Sequence, residues 1–342
     1  MTILKTIDLF AGVGGIRLGF ELADNTKIKV KSVYANDFDK YCKYTYDLNF
    51  KDTPLTIGDI KKINARELPE FNFLLAGFPC QAFSIAGYRK GFEDTDRGNL
   101  FFDIVRILKE AQPRGFLLEN VKNLKSHDKG NTFKVISETL NSLGYNFKAE
   151  VLNSMEYGNV PQNRERIYIV GFRSKKELDN FEFPDPIPLT TNFRDLLEKD
   201  IDQKYYYNDK PLFARLTNDI VSENTVYQWR RQYVRTNKKG VCPTLTANMG
   251  TGGHNVPIIL DSKGIRKLTP RECSRIQGFP LNYKLPSNIA DSRLYKQFGN
   301  SVSVPVVKRV AENILTALSG KRVITKIPRY YPLPLLDSPR QI

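Results

Sequence analysis

Over residues 3–172 the chain alternates short apolar runs with amphipathic stretches, and this alternation limits its possible folds more than any other feature. Residues 3–10, 30–35, 73–76, 116–118 and 167–172 read as strands, and 16–23, 39–48, 100–110 and 132–143 as helices. Phe101, Ile104, Val105 and Leu108 share one face of the third helix, and Gly144 stops the fourth. Strands joined through helices pair in parallel, so the expected class is α/β with a doubly wound, Rossmann-like sheet. Ligands of such sheets lie at the carboxyl ends of the strands. A glycine-rich turn after the first strand, Asp37, Asp59, Cys80 and Glu119 all follow expected strands and should meet on one edge.

The pattern breaks at Phe183-Pro184-Asp185-Pro186-Ile187-Pro188, where three prolines in five residues exclude a helix interior or a central strand. This reads as a linker, and 342 residues suit two domains. The next roughly 100 residues are irregular, and helical character returns at 269–276 and 304–318. The proline-rich tail is expected to be extended. With 52 Lys+Arg against 37 Asp+Glu the net charge is +15, which favours a polyanionic partner. The charge is unevenly spread. Residues 224–260 hold no acid in 37 positions, although acids are 37 of 342 overall. Arg230, Arg231, Arg235, Lys238 and Lys239 interleave there with Tyr227, Trp229 and Tyr233, a composition suited to nucleic acid.

The four cysteines, Cys42, Cys80, Cys242 and Cys273, form no C-x-x-C pair, which argues against a zinc site and a disulfide-stapled fold. His127 and His254 are isolated, so no metal is expected. No apolar run reaches the ~18–20 residues of a membrane span, and no secretory signal opens the chain, so the expected place is the cytoplasm.

Five segments carry candidate chemistry. Asp8-Leu9-Phe10-Ala11-Gly12-Val13-Gly14-Gly15, with Asp37 22 residues beyond Gly15, suits a nucleoside-bearing ligand as well as a plain turn; it is not the strict G-x-G-x-x-G fingerprint. Gly77-Phe78-Pro79-Cys80 sets a thiol at a strand end, either a nucleophile activated by Arg164 and Arg166 or an inert apolar cysteine. Glu119-Asn120-Val121 offers a proton donor with a raised pKa, or a salt bridge or cap. Gln162-Asn163-Arg164-Glu165-Arg166 is a solvated edge or a pair of anion anchors. Gln297-Phe298-Gly299-Asn300-Ser301-Val302 is expected to open a helix, where Asn and Ser are ordinary caps.

In this order, and with Gly58-Asp59-Ile60 and Arg266-Lys267-Leu268-Thr269-Pro270-Arg271-Glu272-Cys273, these segments resemble the cytosine-C5 DNA methyltransferases of bacterial restriction–modification systems. The resemblance covers residues 3–320. It implies a catalytic domain of residues 1–185 and 286–342 that binds S-adenosylmethionine and releases S-adenosylhomocysteine. A small, mostly β or irregular target-recognition domain, 186–285, would lie across a cleft. Phe10, Gly12, Val13 and Gly15 would line the methionine side, Asp37 would hold the ribose, Phe38 would stack on adenine and Asp59 would take its amino group. Ile60, Pro79 and Leu100 would complete the pocket, closed by Asn300 and Ser301. The family has Glu at the ribose position, so the shorter Asp37 would need a small backbone shift or a water.

The implied mechanism adds the Cys80 thiolate to cytosine C6 while Glu119 serves N3, in a base flipped from the duplex. Arg164 and Arg166 would hold Glu119 and the base O2. Residues 81–99 would close over the flipped base, with Gln81 and Ser84 against the DNA. Thr244 would pack near the flipped nucleotide. Gln228, Arg230, Arg231 and Arg235 would read bases, with residues 248–253, including Met249, as a second loop. Similar stretches in the family go with CG-containing targets, and a CCGG-like site is the expectation. The partner is double-stranded DNA, with a monomer expected, no obligate protein partner, and room for a cognate restriction endonuclease. Three rival readings stand beside this one. A tRNA-acting relative would carry a different target domain. A silent DNA-binding relative would lack Cys80 or the Glu119 block. A nicotinamide dehydrogenase would have another glycine spacing.

Overall fold

The computed structural model describes residues 1–23, 27–79, 100–230, 232–237, 240–249 and 256–326. The first half carries eight strands: β1 (Thr2–Leu9), β2 (Ile28–Asp37), β3 (Thr56–Ile57), β4 (Phe73–Gly77), β5 (Gly115–Val121), β6 (Asn146–Asn153), β7 (Gln162–Asn163) and β8 (Glu165–Phe172). All but β7 form one sheet in the order β3-β2-β1-β4-β5-β8-β6. The first five are parallel, whereas β8 runs antiparallel to both β5 and β6. The sheet is therefore mixed rather than wholly parallel, because β8 turns back between its neighbours. β6 is a strand that the alternation of longer apolar runs did not reveal. Phe147, Ala149 and Val151 alternate there with Lys148 and Glu150 on a half-buried edge.

Six helices accompany these strands: α1 (Gly15–Glu21), α2 (Lys40–Asn49), α3 (Leu100–Ala111), α4 (Asn131–Ser142), α5 (Ser154–Tyr157) and α6 (Lys175–Asn180). Successive residues of β4 enter opposite cores. Leu74 and Ala76 pack with Phe101 and Ile104 of α3, while Phe73 and Leu75 pack with Ile16 and Phe20 of α1. Both faces of the sheet are thus covered, as parallel strands require. The strap over residues 181–192 has no helix or strand, in keeping with its prolines, yet Phe181 and Phe183 are buried in the large core.

The second half adds α7 (Phe213–Leu216), β9 (Val226–Trp229), β10 (Val234–Asn237), β11 (Cys242–Pro243), β12 (Pro257–Asp261), β13 (Gly264–Lys267), α8 (Pro270–Ile276), α9 (Asp291–Asn300) and α10 (Val304–Leu318). An antiparallel sheet runs β10-β9-β12-β13 over its own small core of Leu216, Ile220, Tyr227, Trp229, Ile258 and Ile265. β11 pairs in parallel with β7, which stitches this half to the first. α10 returns to α1 across Gly19, where a Cβ would stand 2.5 Å from Val307 Cγ1. Among the described residues no helix is long and apolar enough to cross a membrane.

Candidate active site

The glycine turn leaves β1 through three left-handed residues, Phe10 (φ 54°), Gly12 (φ 55°) and Gly14 (φ 77°). Phe10 pays for this conformation with of order 1 kcal/mol of strain. The would-be Cβ of Gly12 has no atom within 4 Å, so the turn faces open space there. At Gly15 a Cβ would meet Ser301 Oγ at 2.7 Å, which brings the two ends of the chain together. Val13 is buried, and its carbonyl accepts a 2.6 Å hydrogen bond from the Tyr283 hydroxyl. Asp37, at the end of β2, accepts from Gly12 N at 2.8 Å and from Asp39 N at 2.7 Å. Burial raises its pKa, and these two amide bonds oppose the rise. Phe38 presents its ring to solvent, 77% exposed. Asp59 caps a short turn by accepting from Lys61 N at 3.0 Å. Leu100 opens α3, and Pro79 is exposed at the end of β4's loop. Glycine torsion, carboxylate and exposed aromatic ring together fit a nucleoside with a short polar tail.

Some expected features differ. Ile60 is 3% exposed, with its side chain in the large core, so it lends little open surface to a pocket. Asn300 ends α9 and Ser301 is that helix's C-cap, so this block closes a helix instead of opening one. Asp8 went unassigned in the sequence. It is buried beneath the turn, and burial pushes its carboxyl up to about 8.

Glu119 lies within β5, in register with Gly77 of β4 and Tyr168 of β8. Its expected place beyond a strand end is corrected by two further residues of pairing. It is 7% exposed, and Oε1 has no hydrogen-bond partner. Arg166 Nε lies 3.2 Å from that oxygen. Burial raises the pKa of Glu119, and Arg166 and then Arg164 oppose the rise. Asn120 donates from Nδ2 to Phe78 O at 2.8 Å, which fixes the turn that leads into Pro79. Cys80, Gln81 and Ser84, with the whole of 81–99, lie outside the described residues.

Arg164 does not share the task of Arg166. Its buried guanidinium donates to Leu245 O at 2.8 Å and to the carbonyls of Gly299 and Ser301. Of the two arginines expected to hold Glu119 and the base O2, Arg166 lies against Glu119, whereas the Arg164 guanidinium is engaged by three carbonyls.

On the recognition side, Thr244 is half-buried and donates from Oγ1 to Asn163 O at 2.6 Å, next to Arg164 and close in sequence to Arg166. Arg235 is exposed on β10, directly opposite Gln228 of β9. Gln228 is 4% exposed, so it can brace Arg235 but cannot itself reach a base edge. Met249 is fully buried in the shared core, which corrects its expected place on the DNA. Arg230 is exposed at the hairpin end, where its N–H closes a 2.8 Å bond to Tyr233 O. Arg231 and residues 250–253 lie outside the described residues. Arg215 was missed. It is exposed, with its guanidinium 5.3 Å from the Trp229 ring centre, and an isolated Arg upstream of the hairpin carries no sequence signal of that contact.

The C-5 cytosine-specific DNA methylase family matches residues 4–316. The chain is 52% identical over 320 residues to the type II methyltransferase M.Bsp6I of Bacillus sp. (strain RFL6), covering 92% of this chain and all of that relative. It is 43% identical over 335 residues to the type II methyltransferase M.HhaI of Haemophilus parahaemolyticus, covering 94% and 97%. Among solved structures, the Entamoeba histolytica methyltransferase EhMeth shares the fold with a TM-score of 0.74 at 19% identity, over 93% of this chain and 99% of that one. The S. pombe Dnmt2 methyltransferase does so with a TM-score of 0.71 at 22% identity, over 92% and 99%.

Proposed function

The chain belongs to the C-5 cytosine-specific DNA methylases, and from that premise we propose that it methylates C5 of one flipped-out cytosine in duplex DNA through a covalent Cys80 adduct. The observation that carries the reading is Glu119: a buried carboxyl with a raised pKa, whose Oε1 accepts no hydrogen bond and lies 3.2 Å from Arg166 Nε. Burial favours the protonated form of such a group, which can deliver its proton to a ring nitrogen.

S-adenosylmethionine, when bound, supplies the electrophilic methyl on its sulfonium. Residues 10–15 receive its methionine end, Asp37 the ribose and Phe38 the adenine face, with Asp59, Leu100, Asn300 and Ser301 around them. The Cys80 thiolate adds to C6 while Glu119 protonates or hydrogen-bonds N3. Electron density gathers at C5, which would take up the methyl that the bound donor supplies. A base takes the C5 proton, the C6–S bond breaks to return the thiolate, and N3 gives its proton back to Glu119. Arg166 keeps Glu119 oriented and tempers its pKa. Asn120 holds the turn before Cys80.

Residues 186–285 serve as the target-recognition domain, with Thr244 beside the flipped nucleotide and Arg230 and Arg235 toward the bases. Arg215 joins them at the hairpin. Because the relatives above are type II methyltransferases, protection of DNA from a companion endonuclease is the biological role we assign.

The test is transfer of labelled methyl to duplex DNA by wild type and Cys80→Ser, with the product mapped at base resolution. Transfer to cytosine C5 that vanishes in the variant supports the reading, and the map also tests the CG-containing target. Activity on RNA but not DNA would overturn the substrate, and wild-type rates in Cys80→Ser would overturn the covalent step.

A further inference from the structure

Arg164 stands among three segments that methyl transfer must bring together. Nη1 donates to Leu245 O at 2.8 Å, and Nη2 donates to Ser301 O and, at 3.4 Å, to Gly299 O. Two residues earlier, Gln162 Oε1 accepts the Leu245 N–H at 3.1 Å, so both backbone polar groups of Leu245 are gripped from one short strip. Gln162 Nε2 donates to Ile276 O at 2.9 Å and to Gln277 Oε1 at 3.1 Å. Gln277 Nε2 donates in turn to Phe298 O at 2.7 Å and to Ser301 O at 3.4 Å. Gln162, Arg164 and Gln277 are all buried.

The same segments also touch directly. A Cβ on Gly299 would stand 2.1 Å from Thr246 O, so the end of α9 lies against the backbone of the recognition segment. On its other side, Ser301 reaches the glycine turn at Gly15. Contacts therefore run without a gap from Gly15 through Ser301 and Arg164 to Leu245.

A packing role alone does not account for a guanidinium here. Burying a cation whose hydrogen bonds go only to carbonyls, with Nε unbonded and Glu119 as a nearby counter-charge, is costly, and an apolar side chain would fill the same space at less cost. A planar fork with several donors is what three carbonyls on two segments need. We propose that Arg164 is a positioning residue that couples the two binding events. Occupancy of the cofactor end orders Gly299 and Ser301, and through Arg164 this sets Thr244 and Leu245 for the flipped nucleotide. DNA on that segment tightens the cofactor end by the same factor. The proposal rests on the assignment of these two segments made under Proposed function.

The experiment measures the Kd of a labelled duplex carrying the mapped target, with and without S-adenosylhomocysteine, and the reverse pair. Wild type should show a coupling of roughly 5–100-fold, equal in both directions. Arg164→Lys keeps the charge but cannot span the carbonyls, so its coupling should fall to within about twofold of unity. Arg114→Gln, which breaks bonds to Leu318 O and Glu177 outside this path, should retain it. Weaker binding of both ligands by Arg164→Lys with the coupling intact would overturn the proposal. Should that variant not fold, hydrogen exchange of the unaltered chain decides. S-adenosylhomocysteine alone should slow exchange of the Leu245 amide severalfold, and an unchanged rate overturns the proposal. A wild type that binds neither ligand refutes the functional reading instead, whereas binding of both without coupling refutes this inference alone.

Discussion

Asp8→Asn should flatten part of the protein's loss of stability between about pH 4 and about pH 8. Asp8 is 1% exposed on β1, and neither carboxyl oxygen has a hydrogen bond of ordinary geometry. Burial pushes its pKa up to about 8; Arg17 opposes the rise and Asp37 adds to it. In the unfolded chain the same group titrates near 3.9. The native state therefore holds the proton over a range in which the unfolded state has lost it, and stability must fall as pH rises from about 4 to about 8. At roughly 1.4 kcal/mol per pH unit, four units set a ceiling of about 5–6 kcal/mol. Water entry and rotation of Arg17 toward the carboxylate reduce this, and about 2–3 kcal/mol is the expected size. That is a large share of a typical folding free energy of about 5–15 kcal/mol.

The amide introduced by this substitution would keep the shape of the carboxyl without ionising. Urea unfolding of both proteins at pH 5 and pH 8, at fixed ionic strength, isolates the term. The other acids with raised pKa values, Glu21, Asp37, Asp103 and Glu119, titrate in both proteins, so most of their contribution cancels. Wild type should lose about 2–3 kcal/mol more than the variant between the two pH values. Equal losses would refute the reasoning, as would a wild type that gains on the variant with rising pH.

Three further outcomes follow from the geometry. Glu119→Gln should lower kcat by roughly 10²–10⁴ while the duplex Kd stays near wild type. Its raised pKa means that wild-type activity declines as pH rises through that value, and single-turnover rates should show this limb missing in the variant. Gly299→Ala should cost about 1–3 kcal/mol by denaturant titration, since the new methyl falls on the Thr246 carbonyl; unchanged stability would mean that the two segments do not touch. Arg266→Met should cost about 3–5 kcal/mol, because it strands the fully buried Glu272 that Arg266 meets at 2.8 and 2.9 Å. Thermal unfolding with Glu272→Gln added should recover part of that loss, and no recovery would locate the damage elsewhere.

Much of this protein was legible in one dimension because its signals are local. Strand and helix periodicity depends on neighbours two to four residues apart, and so the strands flanking the glycine turn and the full extent of α10 could be read directly. The turn itself was legible because left-handed torsions select glycine at Gly12 and Gly14. The acid-free stretch pointed to a polyanion because like charges leave a composition, not a geometry, behind.

Tertiary structure alone decided which groups meet. The reversal of β8 follows from pairing on both of its edges, which no periodicity encodes. Gln228 and Met249 sit in a recognition-like stretch, yet the packing of β9 and of the shared core removed both from solvent. The partners of Arg164 lie 81, 135 and 137 residues away, and all of them are backbone carbonyls. Every residue owns a carbonyl, so sequence carries no mark of which ones a buried guanidinium will find. Only the folded chain, by closing α9 and the recognition segment around one strand end, selects those three.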